Sequence, residues 1–104
     1  MYGVTSKFPG CKLIRVKTEI KDDALFEPRI SGDFYLAPTE SLAVIERTLD
    51  GWPLNELNLL ESVLSRVMDE NRMLTAGISA HAIVETVRML PGAPRSPTRT
   101  EGKE

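Results

Sequence analysis

Few side chains of this sequence could take part in chemistry, and the first of them is a single thiol. Cys11 is the only cysteine and lies between Lys7 and Lys12. Positive charges nearby favour the thiolate, which is the reactive form of a cysteine. Two interpretations of Cys11 are therefore open: a reactive thiol, or a small apolar residue at the entrance to a strand.

His81, Asp22 and Asp23 are the other candidates for acid–base chemistry. His81 is the only imidazole and has no obvious nucleophile beside it, so we interpret it as a surface or partly buried helix residue. The two aspartates separate apolar runs, which favours a turn over a pair of catalytic carboxylates. One thiol and one imidazole cannot close a zinc or iron–sulfur site unaided. Phosphate-binding glycine loops and the HExxH and GxSxG arrangements are missing. The sequence thus predicts no complete catalytic site and no metal.

Length and composition indicate one soluble domain. The 104 residues are 41% hydrophobic and 27% charged, and a chain of this size buries roughly 60 to 68% of its unfolded surface. A net charge of -2 lacks the basic excess of a nucleic-acid binder. No stretch approaches the roughly 20 apolar residues of a membrane span, and the first residues lack the apolar core of a signal peptide. We expect a cytoplasmic protein with no nucleic-acid and no membrane partner.

The charge is unevenly distributed along the chain. Residues 1–21 are basic and residues 40–71 are acidic. Solvated faces explain most such runs, but an oriented docking surface produces the same asymmetry. The basic residues of the first segment are Lys7, Lys12, Arg15, Lys17 and Lys21.

Three strands are predicted before any helix. Ile14, Val16, Thr18 and Ile20 alternate with polar residues, which is typical of a half-buried strand. Residues 25–31 return to strand-like composition after the aspartate turn, so the two segments form a hairpin. Pro28 lacks the N–H of a ladder donor, which predicts an edge position or a bulge. A short third strand covers residues 33–36.

Three helices follow the strands. The first is predicted after Thr39 as N-cap, with Leu42, Ile45 and Leu49 inward. Trp52, in the next connection, is interpreted as a core or lid residue or as an interface anchor. The remaining apolar residues at helical spacing are Leu57, Leu60, Val63, Leu64, Val67 and Met68 in the second helix, and Ile83, Val84 and Val87 after the N-cap Ser79 in the third.

The order of elements predicts an α+β fold. Three strands followed by three helices favour a three-stranded antiparallel sheet with the helices packed on one face. Residues 91–104 contain prolines and no large apolar side chain, so they cannot add to a core and are expected to be a flexible tail. The domain is expected to cover residues 1–90.

Two segments carry a resemblance to a known family. The first is Lys7-Phe8-Pro9-Gly10-Cys11-Lys12-Leu13, and the second is Ile30-Ser31-Gly32-Asp33-Phe34-Tyr35. In this order they resemble the C-terminal domain of lipoate-protein ligases, which has a K-x-P-G-G-K-L segment before its first strand and an I-S-G-D-F-F segment before its first helix. The resemblance covers roughly residues 7–90. Cys11 departs from it, because the family usually has a second glycine there.

The resemblance implies a function shared between two subunits. A large catalytic subunit binds lipoate and ATP and forms lipoyl-adenylate (lipoyl-AMP). It then transfers lipoyl to acceptor proteins such as E2 subunits or the glycine-cleavage H protein. This chain would be the separate accessory subunit of such a heterodimer, needed for adenylation and inactive alone, with no cofactor of its own. The implied fold is similar to that of iron–sulfur scaffold and sulfur-acceptor proteins.

The same resemblance indicates which residues close the active site or contact the partner. Lys12 either faces phosphate charge or is an ordinary solvated lysine, and the Asp33 carboxylate is expected to bind backbone amides at a bend. Two rival functions remain: a sulfur acceptor with a persulfide on Cys11, and an interaction module that uses the acidic second helix. The expected site residues are Lys7, Gly10 and Lys12 at one edge, and Gly32, Asp33, Phe34 and Tyr35 at the other.

Overall fold

The predicted hairpin forms the centre of the main sheet. Strand β2 (Ile14–Lys21) pairs antiparallel with β3 (Ala24–Gly32). Asp22 and Asp23 join them with φ angles of 54° and 60°, the left-handed conformations that a tight hairpin of this twist requires. The interpretation of the two aspartates as turn residues is confirmed. In the computed structural model residues 1–93 are described, so the predicted tail lies almost wholly outside the described residues.

Pro28 lies in a bulge on an edge strand, as its missing N–H predicted. Two residues of β3, Glu27 and Pro28, lie opposite the single residue Thr18 of β2, and Glu27 takes a φ of 53°. The Thr18 hydroxyl donates a hydrogen bond to the Phe26 carbonyl oxygen at 3.0 Å. The side chain of a buried strand residue therefore bonds to the backbone beside the bulge.

The third strand of this sheet is one that the sequence analysis missed. Strand β1 (Tyr2–Ser6) pairs antiparallel with β2, giving the order β1-β2-β3. A three-stranded antiparallel sheet was correct, but its membership was not. Tyr, Val and Thr in β1 favour a strand, whereas Gly3 interrupts the pattern and leaves only Val4 as an aliphatic residue.

The predicted third strand exists but belongs elsewhere. Strand β4 (Tyr35–Ala37) pairs with β5 (Leu74–Ala76) in a separate two-stranded ribbon. The chain leaves the main sheet at Gly32, which adopts a φ of 155°. The prediction that residues 33–36 extend the main sheet is therefore wrong, and a strand between α2 and α3 that the sequence analysis did not predict supplies the partner.

The three predicted helices are present as α1 (Ser41–Leu49), α2 (Leu57–Glu70) and α3 (Ala80–Val87), with a 3₁₀ turn at Leu54–Glu56. Ser79 caps α3, because its Oγ accepts a hydrogen bond from the Ala82 N–H at 3.1 Å. Thr39 is not the N-cap of α1. Glu40 occupies that position without a side-chain cap bond.

The helices form two layers on one face of the sheet. α1 packs on β3, α3 packs on β1 and β2, and α2 packs on α1 and α3. The inward residues predicted for α3 are all buried, with Ile83 and Val87 fully excluded from solvent. Trp52 is half-buried against the core, and its Nε1 donates to the Glu56 carbonyl oxygen at 3.0 Å. No helix within residues 1–93 is long and apolar enough to cross a membrane.

Two adjacent leucines of α2 provide a test of this core. Leu60 is fully buried and Leu59 is 53% exposed. Leu60→Ala should lower the free energy of unfolding by about 2–5 kcal/mol, because it removes apolar contacts and leaves a cavity. Leu59→Ala should change it by no more than about 0.5 kcal/mol. Urea unfolding followed by circular dichroism measures both; similar losses for the two would contradict the packing of α2.

Candidate functional site

The first family-like segment begins with a tight turn. The Cys11 N–H donates to the Phe8 carbonyl oxygen at 2.9 Å, which closes a four-residue turn with Pro9 second and Gly10 third. Gly10 has a φ of 80°, the value that the third position of a type II turn requires. Cys11 is not among the residues of positive φ, so Gly10 supplies the unusual backbone and a cysteine is accommodated next to it.

The second segment contacts the first directly. The Asp33 N–H donates to the Leu13 carbonyl oxygen at 3.1 Å. A Cβ on Gly32 would collide with that carbonyl oxygen and would lie 3.0 Å from its carbon. Only a residue without a side chain permits this approach of the two backbones. The two segments that are separated in sequence thus meet at one end of the main sheet.

A third segment, missed by the sequence analysis, holds the first from the other side. The Lys12 N–H donates to the Gly77 carbonyl oxygen at 2.8 Å. A Cβ on Gly77 would collide with Lys12 Cγ and would lie 2.9 Å from Lys12 Cβ. The sequence feature that could have identified this segment is Gly77, which directly precedes Ile78 and the α3 N-cap Ser79. Lys12 and Leu13 are therefore held between Gly77 and Gly32, an arrangement that we call the glycine clamp.

The predicted site residues lie around this clamp with different exposures. Phe34 is half-buried and packs against the core, whereas the other predicted residues are exposed. Lys7 follows the end of β1, and Ser6 in β1 pairs with Ile14 at the start of β2. The exposed members are Lys7, Gly10, Lys12, Gly32, Asp33 and Tyr35.

Asp33 orders the bend through its backbone and not through its carboxylate. Its N–H makes the bond to Leu13, and within residues 1–93 the carboxylate has no hydrogen-bond or ion-pair partner. The expectation that this carboxylate binds backbone amides is therefore wrong. The backbone already satisfies the bend, which leaves the charge in solvent.

The β4–β5 ribbon adds an apolar surface next to the clamp. Tyr35 and Ala37 of β4 lie opposite Ala76 and Leu74 of β5 and share one face. Tyr35 is 59% exposed and Leu74 is 65% exposed. Exposed aromatic and aliphatic side chains on one face favour contact with another molecule. We call these four residues the ribbon face.

The other candidates for chemistry lie apart from this surface or are partly covered. Cys11 is a free, half-buried cysteine packed against the core. His81 is on α3, where its Nδ1 lies 3.0 Å from Glu61 Oε1 and its side chain is 66% exposed. Within the described residues no group of three or more His, Cys, Asp or Glu side chains is placed to hold a metal ion.

A solved structure with the same fold comes from an archaeal lipoylation system. It belongs to a study of a bi-partite lipoate protein ligase and its E2 lipoyl domain from Thermoplasma acidophilum. The two chains superpose with a TM-score of 0.69 and 21% sequence identity, over 86% of this chain and 96% of that chain. The α+β fold is confirmed by this match. No family model and no curated protein matches the chain.

Gly77 and Gly51 form a matched pair for testing the clamp. Their φ angles are 83° and 82°, but nothing lies within 4 Å of a Cβ on Gly51. Alanine at either position adopts a left-handed backbone, which destabilises by about 1–2 kcal/mol. Gly77→Ala should lower the free energy of unfolding by about 1–3 kcal/mol more than Gly51→Ala does, because the Lys12 side chain must move to make room for the new Cβ. Equal losses in urea unfolding would show that the close approach has no energetic effect.

Proposed function

We propose that this chain is the accessory subunit of a two-subunit lipoate-protein ligase. The observation that carries the proposal is the fold match to a chain from a bi-partite lipoate protein ligase system over nearly the whole of both chains. The family-like segments support it independently, because they meet at the glycine clamp and expose Lys7, Lys12, Asp33 and Tyr35 together. The partner is a separate catalytic subunit, and the lipoyl acceptors, E2 subunits or the glycine-cleavage H protein, are reached through the complex.

The arrangement of this surface fits a role in closing another protein's active site. An accessory domain can exclude water and hold loops in the reactive geometry without supplying catalytic side chains. The backbone of Lys12 and Leu13 is fixed by bonds to Gly77 and Asp33, so little freedom is lost when it is pressed against a partner. The exposed ammonium groups of Lys7 and Lys12 attract the negatively charged phosphates of a nucleotide bound by the partner. Lipoate and ATP are substrates of the complex.

Lipoate-dependent exchange of pyrophosphate into ATP tests this function directly. The candidate catalytic subunit is assayed with and without this chain. We expect exchange only when both are present, because the role proposed for this chain is in formation of lipoyl-adenylate. The same exchange rate with and without the chain, together with no complex on size exclusion, would exclude the accessory function.

The ribbon face should contribute to docking. Tyr35→Ala removes an exposed aromatic side chain from that face and should weaken binding to the catalytic subunit by about tenfold or more. Its free energy of unfolding should change by no more than about 0.5 kcal/mol. Leu59→Ala, on α2 and similarly exposed, is the control and should bind normally. Isothermal titration calorimetry measures both; the opposite ranking would assign docking to α2.

Cys11→Ser separates the ligase function from a sulfur-acceptor function. Persulfide chemistry needs the thiolate, and serine cannot replace it, so a sulfur acceptor would lose all activity. The accessory function predicts that exchange stimulated by Cys11→Ser stays within about threefold of the native chain. Cys11→Ala controls for packing against the core. If both variants fold and bind the catalytic subunit but abolish exchange, Cys11 has a chemical role and the accessory function as proposed is contradicted.

A further inference from the structure

The two edges of the main sheet differ in how they are protected. The outer edge of β3 carries the bulge and Pro28, both of which discourage the addition of another strand. Backbone groups of this edge are also bonded to α1 and to the connection that follows it. The bonds are Leu25 N–H to Trp52 O at 3.0 Å, Gly51 N–H to Leu25 O at 2.7 Å, Glu27 N–H to Asp50 Oδ1 at 2.9 Å, and Ile30 N–H to Glu46 Oε2 at 2.8 Å.

The opposite edge, strand β1, has none of these protections. Its sequence from Tyr2 to Ser6 contains no charged residue and no proline. Its five residues pair with β2 in unbroken register, without a bulge. In the described part of the chain, no hydrogen bond joins the outward backbone groups of β1 to another element. A regular edge strand of this kind is a template for a further strand.

The outer face of the sheet is basic beside this open edge. Thr5 lies opposite Arg15, and Gly3 lies opposite Lys17, with all four on the face away from the helices. Between residues 1 and 93, no carboxylate forms an ion pair with Arg15 or Lys17. Glu19 is the acidic residue of this face, two residues after Lys17 on β2, and its carboxylate pairs with the Met1 ammonium at 3.4 Å. Arg15 and Lys17 are therefore the charges beside the open edge that have no ion-pair partner in the described part of the chain.

Lys17 leans toward the open edge. It lies opposite Arg29 of β3, whose guanidinium is 3.9 Å from the Glu46 carboxylate of α1. Its Cγ lies 3.6 Å from the position that a Cβ on Gly3 would take. The glycine leaves the outer surface of β1 uncovered, so the lysine stem lies across it. A side chain on a strand added beyond β1 would come within reach of this ammonium group.

We infer that β1 accepts an extended acidic segment of the catalytic subunit as a fourth strand. The inference rests on the proposed function and specifies the chemistry of its partner. Backbone hydrogen bonds to β1 supply the pairing, and Asp or Glu side chains on the outer face of the added strand meet Lys17 and Arg15. A second copy of this chain is a poorer occupant, because pairing two β1 strands would bring both Lys17 side chains to the shared edge.

Hydrogen exchange measured by mass spectrometry on the full chain, alone and with the catalytic subunit in excess, tests the inference. The amides within residues 2–6 that point to the open edge, and so are not bonded to β2, should exchange about tenfold or more slowly in the complex. A complex that stimulates pyrophosphate exchange while these amides remain unprotected would overturn the inference and leave the proposed function intact. Protection of β1 in the chain alone, rising with concentration as a dimer forms, would also overturn it.

Charge reversal tests the acidic chemistry. Lys17→Glu should weaken the complex by roughly fivefold and reduce its salt dependence. Lys21→Glu is the matched control, because Lys21 is on the same strand beyond the end of β1, with its ammonium over the Phe26 ring at 4.2 Å. Equal effects of the two variants would show that only net charge matters, which would overturn the specific role of Lys17.

Two synthetic peptides test strand addition at β1 in the absence of the catalytic subunit. One alternates threonine with glutamate and the other alternates threonine with lysine. We expect the acidic peptide to bind roughly fivefold more tightly, with nuclear magnetic resonance shifts concentrated in residues 2–6, and Lys17→Glu to reverse the preference. Equal binding of the two peptides, or no binding of the acidic one, would overturn the inference even if no catalytic subunit responds to this chain.

Discussion

The close approach of three backbone segments at the glycine clamp organises one end of this molecule. Lys12 and Leu13 are bonded to Gly77 on one side and to Asp33 on the other. The two glycines permit distances that a Cβ would prevent. Because Gly77 follows β5 and Gly32 ends β3, this contact joins the ribbon to the main sheet. The position of the ribbon face, and with it the exposed Tyr35, depends on this contact.

The charge distribution gives the molecule two chemically different sides. The outer face of the sheet carries more basic than acidic residues, namely Arg15, Lys17 and Arg29 with Glu19. The exposed charges of α2 are mostly acidic, namely Glu61, Asp69 and Glu70 with Arg66. α1 and α3 separate these surfaces. Glu46 of α1 and Asp50, which directly follows α1, point toward β3, where their carboxylates accept hydrogen bonds from backbone N–H groups. Opposite charges on opposite sides favour one orientation of docking over others.

Groups that could act in catalysis are dispersed: Cys11 is half-buried behind the turn at Gly10, and His81 pairs with Glu61 between two helices. Exposed charged and apolar side chains are concentrated at the clamp, the ribbon face and the open edge of β1, where the proposed function places the contact with a partner. All three surfaces lie outside the hydrophobic core, and backbone hydrogen bonds hold the segments that form them.

Residue types at short spacing were sufficient to predict the elements whose pattern is local. The hairpin turn at Asp22 and Asp23, the bulge at Pro28, the cap at Ser79 and the buried stripe of α3 all follow from residue types at short spacing. The motif segments were also identified from sequence, because glycine and proline mark turns. Strand β1 was missed, since Gly3 breaks a pattern of only five residues and pairing with β2 decides its conformation.

Strand pairing and the exposure of surfaces depend on contacts between segments that are distant in sequence. Residues 35–37 have the composition of a strand, but whether they join β3 or β5 depends on the backbone turning away at Gly32. The role of Gly77 is a contact with Lys12, far away in sequence, so no local pattern records it. The open edge of β1 is likewise a property of sheet order, because a strand is an edge only relative to its neighbours.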